Sequence, residues 1–169
     1  MTTPGDPDQA PRRFSIDCPR LFDGERMRGH ARVLIEDGYV AALSGASAAA
    51  SSTPVVRLPG DCILAPGFID VQVNGGGGIL LNDTPTAFAV RRIVEAHRRH
   101  GTTGLLPTLI TDAPAKTASL LAAAPDALAV PGVLGFHLEG PHISPARPGI
   151  HPKNHIRPMT AEDRARLAA

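Results

Sequence analysis

The chain has 169 residues, 43% of them apolar, and reads as a soluble globular sequence with enough apolar material for one domain-sized core. Seventeen Lys and Arg against sixteen Asp and Glu leave a net charge of +1, so no basic excess points to nucleic acid or anionic lipid as a partner. No run approaches the roughly 18 apolar residues of a membrane helix, Cys18 and Cys62 lack CxxC spacing, and Met1 to Pro11 is polar rather than a charged stub before an apolar segment; these features predict a cytoplasmic protein with reduced thiols and no membrane partner.

Residues 1–12 offer nothing to bury and read as a flexible lead. Over 13–65 the pattern is β, as in part of a small β-sandwich. Phe14 and Ile16 alternate with polar neighbours, and Ala31–Glu36 and Tyr39–Leu43 flank Asp37-Gly38, a dipeptide suited to a two-residue hairpin turn. Residues 46–54 are a low-complexity Ala/Ser connection, and Val55–Leu58 and Cys62–Leu64 add short strands. A second domain is expected over 66–169. It opens with Phe68–Val73, whose few polar interruptions predict a strand buried in a parallel sheet.

Thr84 as N-cap and Pro85 at the first helical position then start a helix that carries Phe88, Ile93, Val94 and His97 along one face and ends at Gly101. Thr102–Ile110 is a strand, 114–124 a helix interrupted by Pro125 and Pro131, and Val133–Leu138 a third strand. Thr160 caps a last helix, with Asp163 an imperfect stand-in for the Glu or Gln of a capping box. The order β-α-β-α-β-loop-α predicts an α/β fold with parallel strands and right-handed crossovers. It reads as the start of a (β/α)8 barrel, which takes about 250 residues. The barrel is incomplete in this chain, and the expectation is the front of a longer enzyme.

Glu139 follows the third strand, and Gly140 lets the backbone turn sharply beside it. Spacing alone leaves Glu139 open between a metal-binding or catalytic carboxylate and a solvated loop acid. His151, held between Gly149 and Pro152, is equally open. His137 reads as a structural histidine. His142 and His155 lie in a loop where Pro152 keeps His151 and His155 off a common helical face. His97 and His100 belong to a crossover helix, and His100, in its last turn, complements the helix dipole. Gly75–Gly78 lacks the Lys-Ser/Thr and the spacing of a phosphate loop. It permits close backbone approach to a ligand or forms a flap over the site.

Five segments, Leu64 to Gly75, Leu81 to Thr84, Gly101 to Thr111, His137 to Pro141 and Gly149 to His151, together resemble the N-terminal part of the N-acetylglucosamine-6-phosphate deacetylases, a family of the amidohydrolase superfamily. The resemblance implies that Glu139 is the carboxylate ligand of one divalent ion, typically Zn2+. It implies that His151 is catalytic and substrate-binding, polarising the acetamide carbonyl. Gln72 and Asn74 would line the substrate site where many superfamily relatives carry His-x-His for a second metal. Bound zinc can lower the pKa of its water to about 7, and the implied products are glucosamine 6-phosphate and acetate, in amino-sugar catabolism. The implied partners are a phosphosugar substrate and a second copy in a homodimer. The further metal ligands, the general base and the phosphate-binding residues of the family have no counterpart in these 169 residues, so the isolated chain is expected to be inactive. The role of His142 stays open. An imidase or deaminase is the alternative enzyme, although His-x-His would be expected at residues 72 and 74. A non-catalytic remnant with an exposed sheet edge is the alternative outside enzymology.

Overall fold

A computed structural model describes residues 12–45 and 53–168, so most of the expected lead and of the Ala/Ser connection lies outside the described residues. The chain divides into two units, Met1–Pro66 and Gly67–Ala169.

In the first unit the period-2 alternation becomes β1 (Arg13–Cys18), β2 (Leu21–Phe22), β3 (Met27–Arg28), β4 (Ala31–Glu36), β5 (Tyr39–Gly45) and β6 (Val55–Arg57). Four of these form a sheet in the order β5-β4-β1-β6, antiparallel except for the β1–β6 pair. The hairpin between β4 and β5 turns at Asp37 and Gly38, both with positive φ (49° and 83°), as a type I′ turn requires. Cys18, Leu21, Ala31 and Val33 are buried, with Ile16, Ile35, Leu58 and Leu64 packed against them. The expected strand at Cys62–Leu64 reduces to one bridge between Leu64 and Leu21. The β2–β3 hairpin carries no sequence periodicity, since its strands are two residues long, and its turn is organised by Asp23, whose carboxylate accepts the Glu25 and Arg26 N–H groups at 3.0 and 2.9 Å.

The second unit runs β7 (Phe68–Val73), β8 (Gly75–Gly76), β9 (Ile79–Leu80), α1 (Ala87–Arg98), β10 (Thr102–Ile110), α2 (Pro114–Leu128), β11 (His137–Glu139) and α3 (Ala161–Leu167). Strands β11, β10 and β7 make a parallel sheet in that order, and β8 pairs with β9 in a small hairpin. Val73, Leu105 and Leu109 from the sheet pack against Val90, Ile93 and Val94 of α1 and Leu120 and Ala127 of α2.

Several expectations change. Phe68, Ile69 and Val71 are 67%, 67% and 63% exposed, because among the described residues no layer covers them on β7, an edge strand there; only Val73 is buried. Helix α1 begins two residues later than expected: the N-cap is Thr86, whose hydroxyl accepts the Ala89 N–H at 3.3 Å. The Thr84 N–H closes a turn on the Leu80 carbonyl, and Thr86, itself extended at φ −133° and ψ 158°, takes the cap. The buried face of α1 is Ala89, Val90, Ile93 and Val94, and Phe88 is exposed. Helix α2 continues through Pro125 to Leu128. An interior proline removes one hydrogen bond and costs about 3 kcal/mol, but Leu120 before it and Ala127 after it are both fully buried in the core and hold the helix across it. The third strand is shorter than Val133–Leu138: Val133 makes a single bridge to Leu105, Gly135 takes φ +154°, and the ladder resumes only at His137. At α3 the capping box is complete, with Thr160 and Asp163 each accepting the other's backbone N–H.

Candidate active site

Parallel pairing brings the C-terminal ends of β7, β10 and β11 together, the edge at which open and closed α/β sheets place ligands. Gln72 comes from the end of β7, Thr111 lies one residue beyond β10, and Glu139 ends β11 opposite Ile110. The Gln72 side-chain amide donates to Glu139 Oε2 at 2.8 Å, and His151 Nε2 lies 3.3 Å from Glu139 Oε1. The other ring nitrogen, Nδ1, is 2.8 Å from Thr111 Oγ1. His151 is 9% exposed and Thr111 1%, whereas Glu139 is half-buried and Gln72 exposed, so the group has a sealed side and an open side.

Local backbone chemistry explains the arrangement. Gly140 has φ +89°, and a Cβ there would lie 2.0 Å from Thr111 Oγ1; the missing side chain is what lets the threonine hydroxyl reach His151. Asn82, buried, fixes the end of β10. Its amide donates to the Ile110 carbonyl at 3.1 Å and accepts the Ile110 N–H at 3.1 Å, so a side chain substitutes for a neighbouring strand. The same amide donates to Asp112 at 2.9 Å. Burial pushes the Asp112 carboxyl up, but the Asn82 amide and the Ala113 N–H outweigh it and hold it below its ordinary value.

The loop that carries His151 is closed at its base. The Arg157 N–H donates to the Pro141 carbonyl at 3.1 Å, and His142 Nδ1 lies 3.1 Å from the Arg157 carbonyl. The Arg157 guanidinium grips Asp163 with two nitrogens, one at 2.6 Å, which ties the loop to α3. That guanidinium, followed by the Thr160 N–H and hydroxyl, holds the Asp163 carboxyl far below the usual carboxylate range. A carboxyl with a lowered folded-state pKa stabilises the fold at pH above its ordinary value of about 4, and that contribution is lost as pH falls below it. Residues 141–157 should therefore lose protection from hydrogen exchange as pH drops below about 4, and Asp163→Asn should show the same loosening at neutral pH. Equal protection in wild type and variant at neutral pH would remove Asp163 as the anchor.

Glu139, His151 and Gln72 thus come together. Asn74 sits half-buried just beyond β7, where its backbone carbonyl accepts the Leu81 N–H at 2.9 Å. His137 stays local, with Nδ1 3.4 Å from Thr108 Oγ1. His155 lies in a short 3-10 turn beside Asn154, and His97 reaches back to the Gly75 carbonyl at 3.0 Å, which braces the glycine-rich hairpin against α1. Sequence reasoning assigns no role to Thr111 or Asn82, although both lie in segments that carry the resemblance and Thr111 stands one residue past a predicted strand.

Among the described residues no group of three or more His, Cys, Asp or Glu side chains is placed to hold a metal ion. A zinc site takes three protein ligands plus water, so these residues offer a carboxylate toward such a site and do not fit a complete one.

The sequence model of the amidohydrolase family matches residues 63–168. The N-acetylgalactosamine-6-phosphate deacetylase of Shewanella sp. (strain ANA-3) is 41% identical over 155 residues, which is 87% of this chain and 38% of that protein. The N-acetylglucosamine-6-phosphate deacetylase of Bos taurus is 42% identical over 112 residues, 61% of this chain and 26% of that protein. The crystal structure of N-acetylglucosamine-6-phosphate deacetylase from Pasteurella multocida superposes with a TM-score of 0.85 at 24% identity, covering 92% of this chain and 41% of that one. The chain therefore shares its fold with part of that enzyme, and its matches span between about a quarter and two fifths of the length of these relatives.

Proposed function

The chain belongs to the amidohydrolase family, and we propose that it is the N-terminal part of a deacetylase that hydrolyses N-acetyl-D-glucosamine 6-phosphate to D-glucosamine 6-phosphate and acetate. The observation that carries this reading is the Glu139–His151–Gln72 group at the C-terminal strand ends. In this reading residues 13–65 belong to a small β-sandwich, and residues 66–169 are the first part of a (β/α)8 barrel whose mouth is that strand edge. Members of the family are generally metal-dependent, and zinc is the ion we assign. When bound, such an ion makes hydroxide available near neutral pH; of the described residues Glu139 is the one that would hold it.

The residues themselves orient and polarise the amide. A hydrogen on His151 Nε2 can be donated to the acetamide carbonyl oxygen, where negative charge develops as the carbonyl carbon becomes tetrahedral. The ring is buried on its Nδ1 side and so cannot turn that hydrogen away. Gln72, near the end of β7, and Asn74, just beyond it, would line the substrate site. The complete enzyme is read as a cytoplasmic homodimer of amino-sugar catabolism.

A second reading, N-acetylgalactosamine 6-phosphate as the substrate, is favoured by the name of the Shewanella relative. The two sugars differ only in configuration at C4, remote from the amide. Acetate release should be measured with both phosphosugars and added zinc, on this chain extended to the length of its relatives. A higher kcat/KM for the glucosamine substrate supports the first reading, a higher one for the galactosamine substrate the second, and no acetate from either would overturn both.

A further inference from the structure

We infer that Thr111 is a positioning residue, whose hydroxyl fixes the ring of His151 in the tautomer that carries its hydrogen on Nε2. The catalytic consequence rests on the function proposed above; the hydrogen-bond assignment does not.

His151 Nε2 lies 3.3 Å from Glu139 Oε1. An ionised carboxylate oxygen only accepts, so this contact is attractive with a hydrogen on Nε2 and repulsive with a lone pair there. In the neutral ring Nδ1 is then the acceptor. It is buried, and its partner is Thr111 Oγ1 at 2.8 Å. The hydroxyl has a single hydrogen and two acceptors in reach, Nδ1 and the Glu139 carbonyl at 3.4 Å. The shorter contact takes the hydrogen, so the threonine donates into Nδ1. The opposite assignment, with Nδ1–H donated to the threonine, would leave a bare Nε2 facing the carboxylate. Histidines that must present one particular nitrogen are fixed in this way, through the hydrogen bond made by the other.

The surroundings of Thr111 fit a positioning role. Asn82 clamps both backbone groups of the preceding residue, Ile110, and Gly140 leaves the space that the hydroxyl occupies. Thr111 is fully buried and would touch neither substrate nor ion. Its effect reaches the chemistry only through His151, which would offer Nε2–H to the acetamide carbonyl.

The test begins with the ring nitrogens of His151, read by 15N NMR of the 169-residue chain. The neutral ring should carry its hydrogen on Nε2, with Nδ1 showing as a hydrogen-bond acceptor. Thr111→Val, nearly isosteric but without a donor, should shift the ring toward the other tautomer, and Thr111→Ser should restore the wild-type spectrum. In the chain extended to full length, Thr111→Val should lower kcat by roughly 10- to 100-fold, the range typical of losing such an outer partner, with little change in KM, and Thr111→Ser should recover most of it. A wild-type ring protonated on Nδ1 would overturn the inference, as would an unchanged His151 spectrum in Thr111→Val whatever its turnover. Should Thr111→Val fail to fold, the wild-type and Thr111→Ser spectra still decide. An Nε2–H ring that depends on Thr111 in a protein releasing no acetate would leave the positioning role standing and sink the proposed substrate instead.

Discussion

Gly140→Ala should be among the most damaging single substitutions in the chain, lowering both stability and any activity of the site. Two separate costs act at that residue. The backbone sits at φ +89°, where an L side chain is strained by about 1–3 kcal/mol. The added methyl would also meet Thr111 Oγ1 at 2.0 Å and Thr111 Cβ at 3.3 Å, and neither atom is the free end of a flexible side chain. Relieving an overpacked contact of that kind costs about 1–3 kcal/mol more, and the relief must come from moving Thr111, which supports His151, or Glu139, the adjacent residue. Gly149→Ala is the control. It also has positive φ, +57°, but a Cβ there meets nothing within 4 Å. Thermal denaturation should show Gly140→Ala melting well below Gly149→Ala, and a shared melting temperature would mean that the contact between residue 140 and Thr111 is not as described.

That contrast also marks what the sequence could disclose. The turn at Asp37-Gly38, the span of Thr102–Ile110 and the cap at Thr160 follow from residues within a few positions of one another, and each forms as its local chemistry predicts. The errors arise where distant partners decide. Phe68–Val73 is apolar enough for burial on both faces, but burial requires layers packed above and below the strand, and among the described residues only Val73 of β7 meets such a layer. Pro125 is a helix breaker by its own chemistry and is overruled by the packing of Leu120 and Ala127. The start of α1 is a contest between two threonines two residues apart, decided by the turn that ties Thr84 to Leu80 and by the hydroxyl of Thr86 that receives the Ala89 N–H.

The candidate site divides in the same way. Pattern alone places Glu139 at a strand end and His151 in the loop beyond it but leaves both roles open, and the resemblance, not the spacing, brings Gln72 into consideration. Their meeting is a property of the sheet: Gln72 is 67 residues from Glu139, and Thr111 is 40 from His151. Thr111 illustrates the limit most sharply. A threonine after a strand has no chemical signature in one dimension, and its importance appears only once the imidazole is seen beside it.

Zinc titrated into the 169-residue chain should reveal no tight site, and this follows from the geometry of the described residues. Tight binding takes three protein ligands, and the one carboxylate facing the site, Glu139, has its two oxygens already engaged by Gln72 and His151. An incoming ion would have to displace those hydrogen bonds while gaining a single protein ligand. In the chain extended to the length of its relatives the balance reverses, because further ligands share the cost of stripping water from the ion. There one zinc per chain should be retained through dialysis. Glu139→Gln should release it, and turnover should fall by more than the roughly 10- to 100-fold that follows from losing an outer partner. His151→Ala should separate the two roles: zinc retained, with kcat lower by about 10²- to 10³-fold, the scale of losing one donor to a developing oxyanion. Metal analysis and acetate release on the same samples distinguish them. Full zinc occupancy in Glu139→Gln would remove Glu139 from the ligand set, and unchanged turnover in His151→Ala would show that the ring merely packs against Thr111 and Glu139 without meeting the substrate.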